Sequence, residues 1–168
     1  GKDNEDSHVL FWNFKDAAPD STRFNHRGPV NLVKLNPSGS RVLTSGIDGS
    51  VRLWEATTGE GIGAPLRHTT PVQDMQFSHH GRFFATATTG GQVRLWSTAA
   101  AIPLMPPLEF DPGIVRISFH PEDQELMILA GKTIRFIDLS QTAMPSANTS
   151  NAISTISGYR LDDERLLV

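Results

Sequence analysis

A histidine, a hydroxyl and a carboxylate are the parts of a nucleophilic triad, and the chain holds them as His26, Thr44 and Asp48. His79-His80 offers two imidazoles to a metal. Gly131-Lys132-Thr133 resembles the end of a phosphate-cradling loop, and the alternating glycines of GEGIGAP (59–65) hint at nucleotide binding.

Each of these sets meets a simpler reading. The phosphate loop needs a glycine five residues before Gly131, and Leu126 stands there; LMILA and TIRFI flank the stretch as strands with no helix to follow. GEGIGAP falls where a turn and an outer strand are expected, and glycine there eases a bend. Adjacent strand residues point to opposite faces, so His79 and His80 make poor co-ligands, and the chain has no cysteine to complete a set. His26 and Thr44 return as His68 and Thr86; a set that recurs suits a structural element better than one active site. No catalytic residue, metal or cofactor is therefore expected.

What positions these residues is a repeat. The quartets VLFW, VRLW, VRLW and IRFI end at Trp12, Trp54, Trp96 and Ile137, in steps of 42, 42 and 41 residues. His26, His68 and Phe110 keep the same spacing, each followed four residues later by Val30, Val72 or Ile114. The turn signals NPSG, SHHG and HPED fall in step at 36–39, 78–81 and 120–123.

Within a unit the apolar residues alternate with period two, which predicts strands. VQDMQF (72–77), RFFATAT (82–88) and QVRLW (92–96) are three, joined by SHHG and by Gly90-Gly91. A weaker fourth lies around Ile102 to Leu108, and Pro103, Pro106 and Pro107 push it to a sheet edge. Four antiparallel strands, repeated, describe a propeller blade: the fold class is all-β, about four blades' worth of a partial β-propeller. Arg52, Arg94 and Arg135 share one column, read as a solvated sheet face.

These residues resemble WD40 repeats over essentially the whole chain, in the style of bacterial multidomain proteins. The resemblance implies a hydrogen-bonded tetrad of His, Ser/Thr, Asp and Trp. One unit supplies His26, Thr44, Asp48 and Trp54; the next supplies His68, Thr86 and Trp96, with Gly90 where the acid belongs. The last has Phe110, Gly131 and Ile137 in those columns, and Trp-Asp is never intact. The resemblance also implies protein or peptide docking through blade-connecting loops. The candidates there are Arg27, Asn31, Asp48, Thr70, Gln73, Gln92, Asp111 and Lys132. The alternative it implies is a sensor or docking region of a larger bacterial Ser/Thr protein kinase, whose catalytic domain lies outside this chain.

The expected organisation is one propeller segment over 1–168. Residues 1–25 supply third and fourth strands of a split blade; 26–67, 68–109 and 110–150 are blades; 151–168 supply first and second strands of a further blade. Three readings follow: a segment of a longer propeller, a homodimer joined through open blade ends into an eight-bladed ring, or a strained four-bladed ring.

Composition narrows partners. A formal charge of −3 without a basic run disfavours nucleic acid, and the chain has no apolar stretch of membrane-spanning length. A soluble, cytoplasmic interaction module is the expectation. Asn148-Thr149-Ser150 fits a glycosylation sequon that matters only in a secreted protein.

Overall fold

Alternating apolar residues and glycine-bearing turns produce strands throughout, and the computed structural model describes residues 7–13, 18–26, 28–111, 113 and 115–140. Strands β1 (Ser7–Asn13) and β2 (Ala18–His26) pair antiparallel as a two-stranded sheet. Strands β3 (Val30–Leu35), β4 (Arg41–Gly46), β5 (Ser50–Glu55) and β6 (Gly61–Arg67) form a four-stranded meander. A second follows in β7 (Val72–Phe77), β8 (Phe83–Thr88), β9 (Gln92–Ser97) and β10 (Leu108–Glu109). Strands β11 (Val115–Phe119), β12 (Glu125–Ala130) and β13 (Thr133–Asp138) complete the described residues as a three-stranded sheet. This is an all-β succession of propeller blades, with no helix among the described residues. The fourth strand expected for the third blade, the strands expected at 151–168, the sequon and Arg27 lie outside the described residues.

Register repeats from blade to blade. Val42, Leu43 and Thr44 oppose Trp54, Leu53 and Arg52; Phe84, Ala85 and Thr86 oppose Trp96, Leu95 and Arg94; Leu126, Met127 and Ile128 oppose Ile137, Phe136 and Arg135. Alternation then sends each blade's residues to two different cores. Leu43, Val51, Leu53 and Leu66 meet Val72, Met75, Phe84 and Trp96 between the first and second full blades. Phe83, Ala85, Val93 and Leu95 meet Val115, Ile117, Leu126, Ile128 and Ile137 between the second and third. Phe24, on β2, meets Val42 and Trp54. Burying each large side chain stabilises by roughly 1.5–3 kcal/mol, so the blade interfaces dominate folding.

The fourth strand of the second blade is shorter than its sequence window. Only Leu108 and Glu109 pair in register, with Val93 and Gln92, beside an isolated bridge from Trp96 to Pro103. The three prolines lack the N–H groups that a ladder needs. The connection holds instead through Ser97 N–H to Ile102 O and Leu104 N–H to Leu95 O.

The turns between the first and second strands share one left-handed residue: Gly39 (φ 73°), Gly81 (φ 69°) and Asp123 (φ 56°). At Gly91 (φ 88°) a side chain would also collide with the carbonyl oxygens of Phe110 and Asp111, whereas Gly39 faces open space. Gly39→Ala is expected to cost about 1 kcal/mol, the left-handed penalty alone. Gly91→Ala is expected to cost about 3 kcal/mol or more, because strain and collision combine. Denaturant unfolding of the two variants checks the difference; equal costs would mean that the second and third blades do not meet tightly at Gly91.

Candidate functional site

The polar residues of the repeat come together inside the blades. In the first full blade the Trp54 indole donates to Thr44 Oγ1 at 2.8 Å. In the second, Trp96 donates to Thr86 Oγ1 at 3.0 Å, and His68 Nε2 lies 2.9 Å from the same oxygen. His68 Nδ1 lies 3.2 Å from Gly49 O in the preceding blade. A carbonyl only accepts, so Nδ1 carries the proton and Nε2 accepts from the Thr86 hydroxyl. Burial, assisted by the Arg94 charge, depresses the His68 pKa to about 4 against the favourable carbonyls of Gly49 and Leu66. The ring is thus neutral and its tautomer set.

Asp48 occupies the turn after β4. Its Oδ1 accepts from Ser50 N–H at 3.0 Å and Ser50 O–H at 2.6 Å. Partial burial raises its pKa, but the Ser50 bonds, the nearby His26 ring and the Arg67 guanidinium outweigh this and hold it below 3.8. His26 and Asp48 close around Gly46, where an added Cβ would stand 2.6 Å from both Asp48 Oδ1 and His26 Cε1.

In the third blade the columns of His, Thr and Trp hold Phe110, Ile128 and Ile137, and the latter two join the apolar core. Ile128, at the threonine position, is the member missed in the sequence; adding the repeat period to Thr86 finds it. The three arginines are not simply solvated. Arg52, Arg94 and Arg135 lie 5.2, 5.8 and 5.5 Å from the ring centroids of Trp54, Trp96 and Phe110. Such contacts add about 0.5–1 kcal/mol at exposed sites.

The loop candidates divide. Asn31 Nδ2 donates to Val72 O at 3.3 Å, and Gln73 Nε2 donates to Gly113 O at 2.8 Å, each tying its blade to the next. Thr70 Oγ1 accepts from Gly90 N–H at 3.1 Å, and Gln92 bonds Glu109 and Arg94. Asp111 and Lys132 are exposed. So is Ile47, 58% exposed at the tip of the β4–β5 turn, an apolar residue that period-two patterning did not single out.

Two carboxylates missed in the sequence also join blades. Asp74 Oδ2 accepts from Ile117 N–H at 3.0 Å. Asp123, its side chain fully buried, accepts from His79 N–H at 2.6 Å and His80 N–H at 2.9 Å. Burial raises the Asp123 pKa, yet these amides, Ser78 and the nearby His80 ring hold it below 3.8. Its signal was an acid in the turn column otherwise filled by Gly39 and Gly81. His79 and His80 therefore belong to a blade junction, and among the described residues no group of three or more His, Cys, Asp or Glu is placed to hold a metal.

Chemically the network can hold strands in register. Thr44 and Thr86 are fully buried and His68 is 8% exposed, so the hydroxyls and the imidazole lie inside the blades.

Thr86→Val would leave two buried ring nitrogens without their partner and is expected to cost about 2–4 kcal/mol in denaturant unfolding. For His68 the unfolded chain binds the proton first as pH falls below 6.5, so stability is complete above that value and falls toward pH 4. The loss is on the order of 3 kcal/mol, and His68→Phe should abolish that slope while leaving the Asp123 limb. For Asp123 the folded pKa is the lower one, so its contribution is present above pH 3.8 and disappears as pH falls through its folded value. Unfolding curves collected across pH check both limbs.

Comparison with known proteins agrees with this geometry. The family model described as "WD domain, G-beta repeat" matches residues 19–55 and 64–97, so WD40 repeats are present there. A human protein, WD repeat-containing protein 86, is 44% identical over 36 residues, covering 21% of this chain and 10% of the human protein. This chain thus corresponds to a small fraction of that relative's length.

Proposed function

We propose that this chain is a non-catalytic docking scaffold that binds a protein or peptide through the loops joining its blades. WD40 repeats generally mediate protein–protein interaction, which supplies the coarse reading. The observation that supports the finer one is how the polar groups are spent. His68, Thr86 and Trp96 satisfy one another, and Asn31, Gln73, Asp74 and Asp123 fasten neighbouring blades. The loop tips retain the uncommitted chemistry: Ile47 is an exposed apolar residue on the first full blade, and Lys132 and Asp111 are exposed charges on the loops of the third. Buried apolar anchors within a polar rim are the usual energetic centre of a protein interface. The kinase-linked bacterial reading rests on the wording of the repeat alone, and the relative reported above is human.

A photoactivatable crosslinker at Ile47 tests the assignment against one at Glu122, in a turn between the first and second strands. The Ile47 probe should capture one discrete partner, and Ile47→Asp should weaken binding of that partner at least about tenfold, the cost of losing one anchor. Equal capture from both positions, or capture only from Glu122, would move the docking surface to another part of the blades.

A further inference from the structure

The turns linking second to third strand follow the same path in the first two full blades. Gly49 N–H donates to Gly46 O at 3.1 Å, and Gly91 N–H donates to Thr88 O at 3.0 Å. Both close on a left-handed glycine, φ 78° at Gly49 and 88° at Gly91. Three columns nevertheless change together. The first blade has Gly28, Gly46 and Asp48; the second has Thr70, Thr88 and Gly90.

The contacts show why they change as a set. In the first blade, Asp48 Oδ1 accepts the Ser50 N–H that follows the turn, and it needs Gly46 bare because a Cβ there would stand 2.6 Å away. In the second blade that space is filled by Thr88, which is buried. Its Oγ1 accepts the corresponding N–H, that of Gln92, at 3.2 Å and approaches Gln92 O at 3.4 Å. The room beside Gly90 is taken by Thr70, whose Oγ1 accepts Gly90 N–H at 3.1 Å. A Cβ on Gly90 would stand 2.8 Å from that oxygen and 3.2 Å from Thr70 Cγ2.

We infer that Thr70 and Thr88 together replace the acid that the second blade lacks, holding its turn with two hydroxyls where the first blade uses one carboxylate. Neither solution can be converted to the other by a single substitution. An acid at 90 meets Thr70 and Thr88, and loss of the threonines leaves the Gly90 and Gln92 amides without their side-chain acceptors. The consequence for the loop face proposed above is a change of charge along it: the first blade carries the exposed Asp48 carboxylate in this turn, and the second has no acid there. The inference stands whether or not that face binds a partner.

The test is a transplant. Gly90→Asp alone should lower the thermal midpoint by about 5 °C or more, and Thr70→Gly with Thr88→Gly should lower it as well. The triple variant, which copies the first blade's Gly, Gly and Asp, should recover at least about half of the summed loss, because coupled residues do not add. A triple variant that loses the plain sum overturns the inference. Should any of these fail to fold, Thr70→Ser and Thr70→Val decide it in an otherwise intact chain. Amide exchange at Gly90 should stay within about twofold for Ser, which keeps the acceptor, and accelerate about fivefold for Val, which removes it. Unchanged exchange in Thr70→Val would equally overturn it.

Discussion

A four-stranded sheet has two faces and can bury neither by itself, and the rest of this structure answers that constraint. Alternation puts Met75, Phe84 and Trp96 on the face toward the preceding blade and Ala85, Val93 and Leu95 on the face toward the following one. Apolar burial supplies most of the attraction but is non-directional, so it brings sheets together without setting their register. Directional bonds supply that. The Asn31 and Gln73 amides reach carbonyls on the next blade, Asp74 and Asp123 accept neighbouring backbone N–H groups, and His68 grips Gly49 O. Each bond joins a side chain to backbone, which fixes one blade's position along its neighbour.

The same logic governs the inside of a blade. Burying the Trp96 indole and the His68 imidazole is affordable only because the Thr86 hydroxyl meets both. The third blade takes the opposite course and removes every polar member, with Phe110, Ile128 and Ile137 in place of histidine, threonine and tryptophan. Replacing all partners by apolar groups of suitable shape is close to neutral, whereas replacing one strands the others. Arg135 keeps an aromatic face beneath it by lying over Phe110, as Arg94 lies over Trp96.

The repeat period, the strands and the blade order were legible because period-two alternation and turn residues are local properties of the chain. His68, Thr86 and Trp96 were legible as columns. What a column does not carry is where a side chain ends. Asn31 and Gln73 read as exposed loop polar residues, yet the close approach of successive first strands puts the next blade's carbonyls within their reach. Asp123 was hidden because its column otherwise holds glycine, and only the left-handed turn aims a side chain there at the preceding blade. Pro103, Pro106 and Pro107 announced a poor fourth strand, but its contraction to Leu108 and Glu109 depended on which carbonyls of β9 found other donors.

Exposure of apolar residues separates what another blade covers from what a partner would. Val33 and Leu35 are 44% and 48% exposed on β3, but Met75 and Ile117, in the same column as Val33, are buried at 0% and 4% by a preceding full blade. The exposure of Val33 therefore reflects a neighbour that contributes only two strands, β1 and β2, among the described residues. Ile47 is different in kind. Its counterpart Thr89 is exposed although its blade has a neighbour on each side, four-stranded before it and three-stranded after it among the described residues, and neither covers it. A large apolar side chain left in water at such a tip gains about 1.5–3 kcal/mol only when something other than a blade closes over it. That is the physical reason the docking surface proposed above includes Ile47 and leaves out Val33.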